Sequence, residues 1–105
     1  MIVESAILAI LPGKEAAFEE ALRGALPLIQ ESKGFRKIEV RACVENRSRY
    51  LLLVWWDTLE DHTIGFRGSE RYRKWREALH HFYDPFPTVL HYQPVVGMGS
   101  GAAGT

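Results

Sequence analysis

The sequence predicts an α+β fold in which four antiparallel strands form one sheet and two helical regions cover one of its faces. Three observations carry this. Apolar stretches of strand length occur near the start, in the middle and near the end of the chain. Two segments with apolar residues three and four apart lie between them, and glycine and proline pairs punctuate the junctions.

Residues 2–11, "IVESAILAIL", read as a strand that stops at the Pro12-Gly13 turn signal. Ile2, Ala6, Leu8 and Ile10 fall on one face, and Val3, Ile7, Ala9 and Leu11 on the other, so cover on both sides is expected. From Lys14 the period changes. Phe18, Ala21, Leu22, Ala25 and Ile29 mark an amphipathic helix running to about Ser32, with room for a bend at Pro27 and a stop at Lys33-Gly34.

Residues 35–44 alternate, with Phe35, Lys37, Glu39, Arg41 and Cys43 on one face and Arg36, Ile38, Val40, Ala42 and Val44 on the other. This is a half-solvated strand. After the polar "ENRSR", the run "YLLLVWWD" is apolar throughout, as suits a central strand in a hairpin with its predecessor. Thr58 and Asp61 have capping-box spacing, so a helix starts there. Gly65 and Gly68 weaken it, and Ser69 can cap a second piece lined by Tyr72, Trp75, Leu79 and Phe82. "DPFP" ends the helix, "TVLHYQPV" reads as a last strand, and residues 96–105 form a Gly-rich tail expected to be disordered.

The order β-α-β-β-α-β is the ferredoxin-like split unit, a single domain over 1–95. Its open sheet face carries apolar residues of the first and third strands, and a second copy of the chain is the simplest cover, which predicts a homodimer.

Composition narrows the function. Thirteen basic and thirteen acidic residues cancel, so no field draws in nucleic acid or an anionic membrane. The single Cys43 cannot form an internal disulfide, in keeping with a reducing cytoplasm. The opening apolar run is too short to span a bilayer, and it lacks a basic leader and carries Glu4, so it is not expected to be a signal peptide. No G-x-G-x-x-G follows a strand, and the histidines lack metal-ligand spacing, so neither a cofactor nor a metal is expected.

Four stretches together resemble the antibiotic biosynthesis monooxygenase-like domains, which are dimeric α+β barrels. These are the first strand leading into "LPGKEAAFEEAL", the "GF" before the second strand, "VWWDTLEDHTIGFRGSERYRKW", and "FPTVLHYQPV". The resemblance runs from about Met1 to Val95. It implies a ligand cavity between sheet and helices, with His62, Phe66, Tyr72, Trp75 and one of Trp55 and Trp56 as wall candidates. Adjacent strand residues point to opposite faces, so only one of that pair faces the helices, and the sequence leaves open which; the other is expected in the dimer interface.

The resemblance implies a cofactor-independent monooxygenase of a small aromatic or quinol-like compound. His62 is the candidate base and Tyr72 the candidate donor to the substrate anion, with Trp56, Phe66, Trp75, Leu79 and His81 as substrate contacts. His80 and His81 project about 100° apart on a helix, so at most one joins the site. A non-catalytic small-molecule-binding or assembly module, or an isomerase or decyclase on the same barrel, is the alternative. Haem degradation fits less well, because the strand-one Asn of the haem-degrading relatives falls at about Ala6.

Overall fold

The computed structural model describes residues 1–99 of the 105. The tail expected over 96–105 therefore lies, beyond Gly99, outside the described residues. The elements are strand β1 (Ile2–Ala9), helix α1 (Glu15–Gln30), strands β2 (Phe35–Ala42) and β3 (Arg49–Trp56), a π-helical segment (Asp61–Phe66), helix α2 (Glu70–Leu79), a 3₁₀ turn (His80–Phe82) and strand β4 (Val89–Tyr92). The sheet is antiparallel in the order β2-β3-β1-β4, as the ferredoxin-like reading requires.

Register fixes the two faces. Leu8 pairs with Tyr50, Ala6 with Leu52 and Glu4 with Val54, and all six are buried on the helix-covered side. Phe18, Leu22, Ala25 and Ile29 of α1 and Trp75 and Leu79 of α2 close the core over them. The opposite face is bare in the single chain: Ile7, Leu90 and Tyr92 are 51%, 51% and 55% exposed. β1 is therefore apolar on both sides but covered by this chain on only one.

β2 departs from strict alternation. Phe35 pairs with Trp56 and Lys37 with Trp55, so Arg36 is the extra residue of a bulge. Phe35 thereby turns to the core face, edge-on to Trp56 at 6.1 Å, rather than sharing the charged face with Lys37. Arg36 itself pairs with Asp57. β4 is shorter than the apolar pattern suggests, four residues instead of eight.

The helical region after β3 breaks where glycine predicts, but its first part is wound as a π-helix. The Thr58 hydroxyl accepts from the Asp61 N–H at 3.1 Å, and the Arg67 N–H reaches back five residues to the His62 carbonyl. Ser69 caps α2 by accepting from the Tyr72 N–H. α1 ends at Gln30, and Gly34, in the turn that follows it, has φ +81°; a Cβ there would collide with the Asp61 carboxyl, so this position is restricted both by its backbone and by its neighbour. Among the described residues no helix is long and apolar enough to cross a membrane.

Candidate functional site

The site is built where β1, β4 and the π-helical segment meet. Glu4 and His91 are direct register partners on β1 and β4, so their side chains leave the same face of the sheet. His62 descends from the π-helical segment between them. Its Nε2 lies 3.3 Å from Glu4 Oε1, and its Nδ1 lies 2.8 Å from His91 Nε2. The same Glu4 oxygen accepts from the Trp56 indole N–H at 2.9 Å, and the Trp56 ring stacks on His62 at 5.3 Å and 17°.

A carboxylate only accepts, so with Glu4 ionised the network assigns the His62 proton to Nε2. Nδ1 is then the acceptor for His91 Nε2–H. Burial governs the charges. It pushes the Glu4 carboxyl up to about 7, against the Trp56 hydrogen bond and the Arg67 charge, which pull it down. It pushes His62 down to about 3, aided by Arg67 and His91. The contact is therefore not an ion pair at neutral pH: His62 is neutral and Glu4 is poised between its two forms. His80 and His91 are also lowered by burial, with Arg76 adding to the first and Arg67 to the second.

Glu4 and His62 open onto a cavity of about 60 Å³ between sheet and helices, which Phe66, Tyr72, Trp75 and His80 also line. Phe66 is the hub of its aromatic wall, edge-on to Tyr72 at 5.4 Å and to Trp75 at 6.0 Å. Four of the sequence candidates, His62, Phe66, Tyr72 and Trp75, thus share one cavity. Of the two adjacent tryptophans Trp56 faces the helices, but it stands behind His62 and Glu4 rather than in the wall expected of a substrate contact. Trp55 is on the other face, under the Lys37 ammonium.

Two candidates fall elsewhere. Leu79 is fully buried in the core and outside the cavity wall, and His81 is exposed. After α2 the chain tightens into a 3₁₀ turn, and His80, not His81, lines the cavity and meets the Tyr72 ring edge-on at 6.0 Å. Among the described residues no group of three or more His, Cys, Asp or Glu side chains is arranged to hold a metal ion. In the Glu4 cluster the ring nitrogens face their neighbours instead of a common centre. A larger groove of about 330 Å³ between α1 and β2 has the Tyr50–Glu19 hydrogen bond at its rim but no buried carboxyl or imidazole.

The family model for antibiotic biosynthesis monooxygenases matches residues 1–78, which takes in β1, the π-helical segment and nearly all of α2. The chain belongs to the antibiotic biosynthesis monooxygenase family. Within the family's range of sequences it is 52% identical over 95 residues to the uncharacterised protein YczJ of Bacillus subtilis (strain 168), covering 90% of this chain and all of that one. A Bordetella bronchiseptica protein described as a candidate antibiotic biosynthesis monooxygenase superposes with a TM-score of 0.85 at 33% identity, over 90% of this chain and 97% of its own. SnoaB of Streptomyces nogalater, a cofactor-independent oxygenase solved as a point mutant, has a TM-score of 0.80 at 10% identity, over 94% and 97% of the two chains. That last likeness is one of fold.

In this family member the residues that sequence reasoning missed are Glu4, His91 as a partner of His62, and His80. Glu4 carried a readable signal: it is the one charged residue in β1 and lies in the alternation of the buried Ala6, Leu8 and Ile10. An acid at a core position is costly unless it is partnered or protonated. The pairing of Glu4 with His91 had no local signal, because it depends on how β4 returns beside β1.

Proposed function

We propose that the protein is a cofactor-independent monooxygenase of a small aromatic or quinol-like compound, working as a homodimer. The observation that carries this is the Glu4–His62–His91 chain, buried at Glu4 and His62, under an aromatic wall. A hydroxyarene becomes an electron donor to dioxygen once its O–H is deprotonated. The site offers a carboxyl-imidazole pair to take that proton in a dry setting, and Phe66 and Trp75 supply an aromatic wall beside it. The Tyr72 hydroxyl holds the oxygen anion.

The chemistry balances without a cofactor. The hydroxyarene and dioxygen give a quinone and water: a ring C–H and the O–H bond break, one oxygen atom becomes the new carbonyl, and the other leaves as water with both hydrogens. The substrate supplies all the electrons. The fold-level likeness to SnoaB, itself a cofactor-independent oxygenase, is in keeping with this reading. In its closed form the cavity, at about 60 Å³, is below the roughly 300 Å³ at the low end of small-molecule sites, so the wall must open to admit the ring. The exposed Ile7, Leu90 and Tyr92 supply the apolar face for pairing with a second copy.

The small cavity is also the specific observation that favours a second reading, a non-catalytic binding or assembly module. Oxygen uptake with a panel of naphthols and naphthalenediols separates the two. The monooxygenase reading predicts uptake with wild type that falls by about a hundredfold in His62→Ala. Ligand binding with no uptake in either protein would instead establish the binding module.

A further inference from the structure

Both ring nitrogens of His62 are engaged, one with Glu4 and one with His91. A ring held in this way cannot take a proton from a cavity ligand until it has given one up. Glu4 is different. Its contacts with Trp56 and His62 both fall on Oε1. Among the described residues no buried side-chain polar atom is left without a partner, so Oε2, which has no protein partner, is not sealed in by protein, and Glu4 lines the cavity. At the other end of the chain His91 is only half-buried and stands on the edge strand β4. Its Nε2 is bound to His62, which leaves Nδ1 to exchange with water.

We infer that Glu4 is the group that exchanges the proton with a cavity ligand, and that His62 and His91 are positioning residues linking Glu4 to solvent at the β4 edge. This deepens the proposed oxygenase reading and rests on it for the identity of the ligand as a hydroxyarene. The ligand O–H breaks as an O–H forms on Oε2, from which the proton returns to the oxygen that leaves as water. With Glu4 ionised, the two imidazole bonds point inward. A proton arriving on His91 Nδ1 then shifts one N–H at a time, from His91 Nε2 to His62 Nδ1 and from His62 Nε2 to Glu4 Oε1. The rings are left in their opposite tautomers, from which the same path runs outward. Arg67, Tyr72, His80 and Tyr83 are the other charged or titratable groups around the cavity. Arg67 favours the ionised form of Glu4, and burial raises the Tyr83 hydroxyl out of range, so Tyr83 stays neutral.

Trp56 makes the inference testable without any ligand, because its N–H is bonded to the Glu4 carboxyl and its emission reports the charge there. The experiment is a stopped-flow pH jump across the Glu4 transition, read by tryptophan fluorescence. The variants are Glu4→Gln, Trp56→Phe, His91→Gln and His91→Phe. The change is expected in wild type and absent from Glu4→Gln and Trp56→Phe. The two His91 variants keep its amplitude but relax at least about tenfold more slowly. His91→Gln retains an amide donor for His62 yet carries no proton, and so separates relay from packing. A step that persists in Glu4→Gln, or wild-type relaxation in either folded His91 variant, overturns the inference. Since no substrate is involved, that outcome is distinct from a failure to find oxygen uptake.

Discussion

Glu4 Oε1 lies 3.3 Å from His62 Nε2, and the two side chains are only 7% and 3% exposed. Each group is most stable uncharged there, and their pH dependences oppose one another. Glu4 is raised from 4.5 to about 7, so its contribution to stability is full at low pH and is lost as pH rises through that window. His62 is lowered from 6.5 to about 3, so its contribution is present above 6.5 and is lost as pH falls toward 3. Between 4.5 and 6.5 the two slopes offset each other. Glu4→Gln removes one of them. The stability of the variant relative to wild type should therefore climb by about 3 kcal/mol from acid to neutral pH, measured by urea denaturation at a series of pH values. A pH-independent difference would contradict the assignment.

Trp56 tunes this pair through its N–H, which pulls the Glu4 carboxyl down against burial. Trp56→Phe keeps most of the ring packing and deletes the donor. Glu4 should then titrate higher than in wild type, and the fold should weaken by about 1–3 kcal/mol because a buried acceptor loses its partner. Carboxyl carbon NMR against pH reads the first, and denaturation the second.

Gly34 supports the site from a distance, since its α-hydrogen face receives the Asp61 carboxyl one residue before His62. Gly34→Ala should cost about 2 kcal/mol or more, from positive φ and from the collision together. Adding Asp61→Ala should recover the collision share and leave the backbone share, a non-additivity visible in a double-mutant cycle.

The exposed apolar face makes a prediction about assembly. Ile7 and Leu90 lie on the neighbouring strands β1 and β4, on the uncovered side of the sheet. A charge at either, as in Ile7→Glu or Leu90→Glu, should convert a dimer to a monomer in sedimentation velocity, because an unpaired charge at an apolar interface is costly. A wild-type monomer at micromolar concentration would contradict the proposed pairing.

The two adjacent histidines after α2 divide the roles. His80→Ala removes a cavity wall and should alter ligand binding, whereas His81→Ala, at an exposed position, should change stability by less than about 0.5 kcal/mol and leave binding intact. Titration calorimetry with a naphthol on both variants checks this.

The layered architecture was readable from periodicity: α1 from Phe18, Leu22, Ala25 and Ile29, the restart at Ser69, and the strand order from the element sequence. The aromatic wall was readable through the family resemblance, which pointed to His62, Phe66, Tyr72 and Trp75, whereas their helical spacing alone fits a packed core equally well. What escaped depends on departures from ideal geometry or on distant pairing. A one-residue bulge at Arg36 turned Phe35 inward. The 3₁₀ turn placed His80 in the wall and left His81 exposed. The catalytic proposal rests on Glu4 meeting His91, a contact set by the β1–β4 register.

The most direct test of the proposed monooxygenase is turnover of a naphthol under heavy-isotope dioxygen by purified protein free of metal and flavin, with mass analysis of the quinone. The account predicts one labelled oxygen per quinone, the second atom of the dioxygen appearing as water, and loss of product in Glu4→Gln and His62→Ala. Quinone without label, or no product from a ligand that binds, would contradict it.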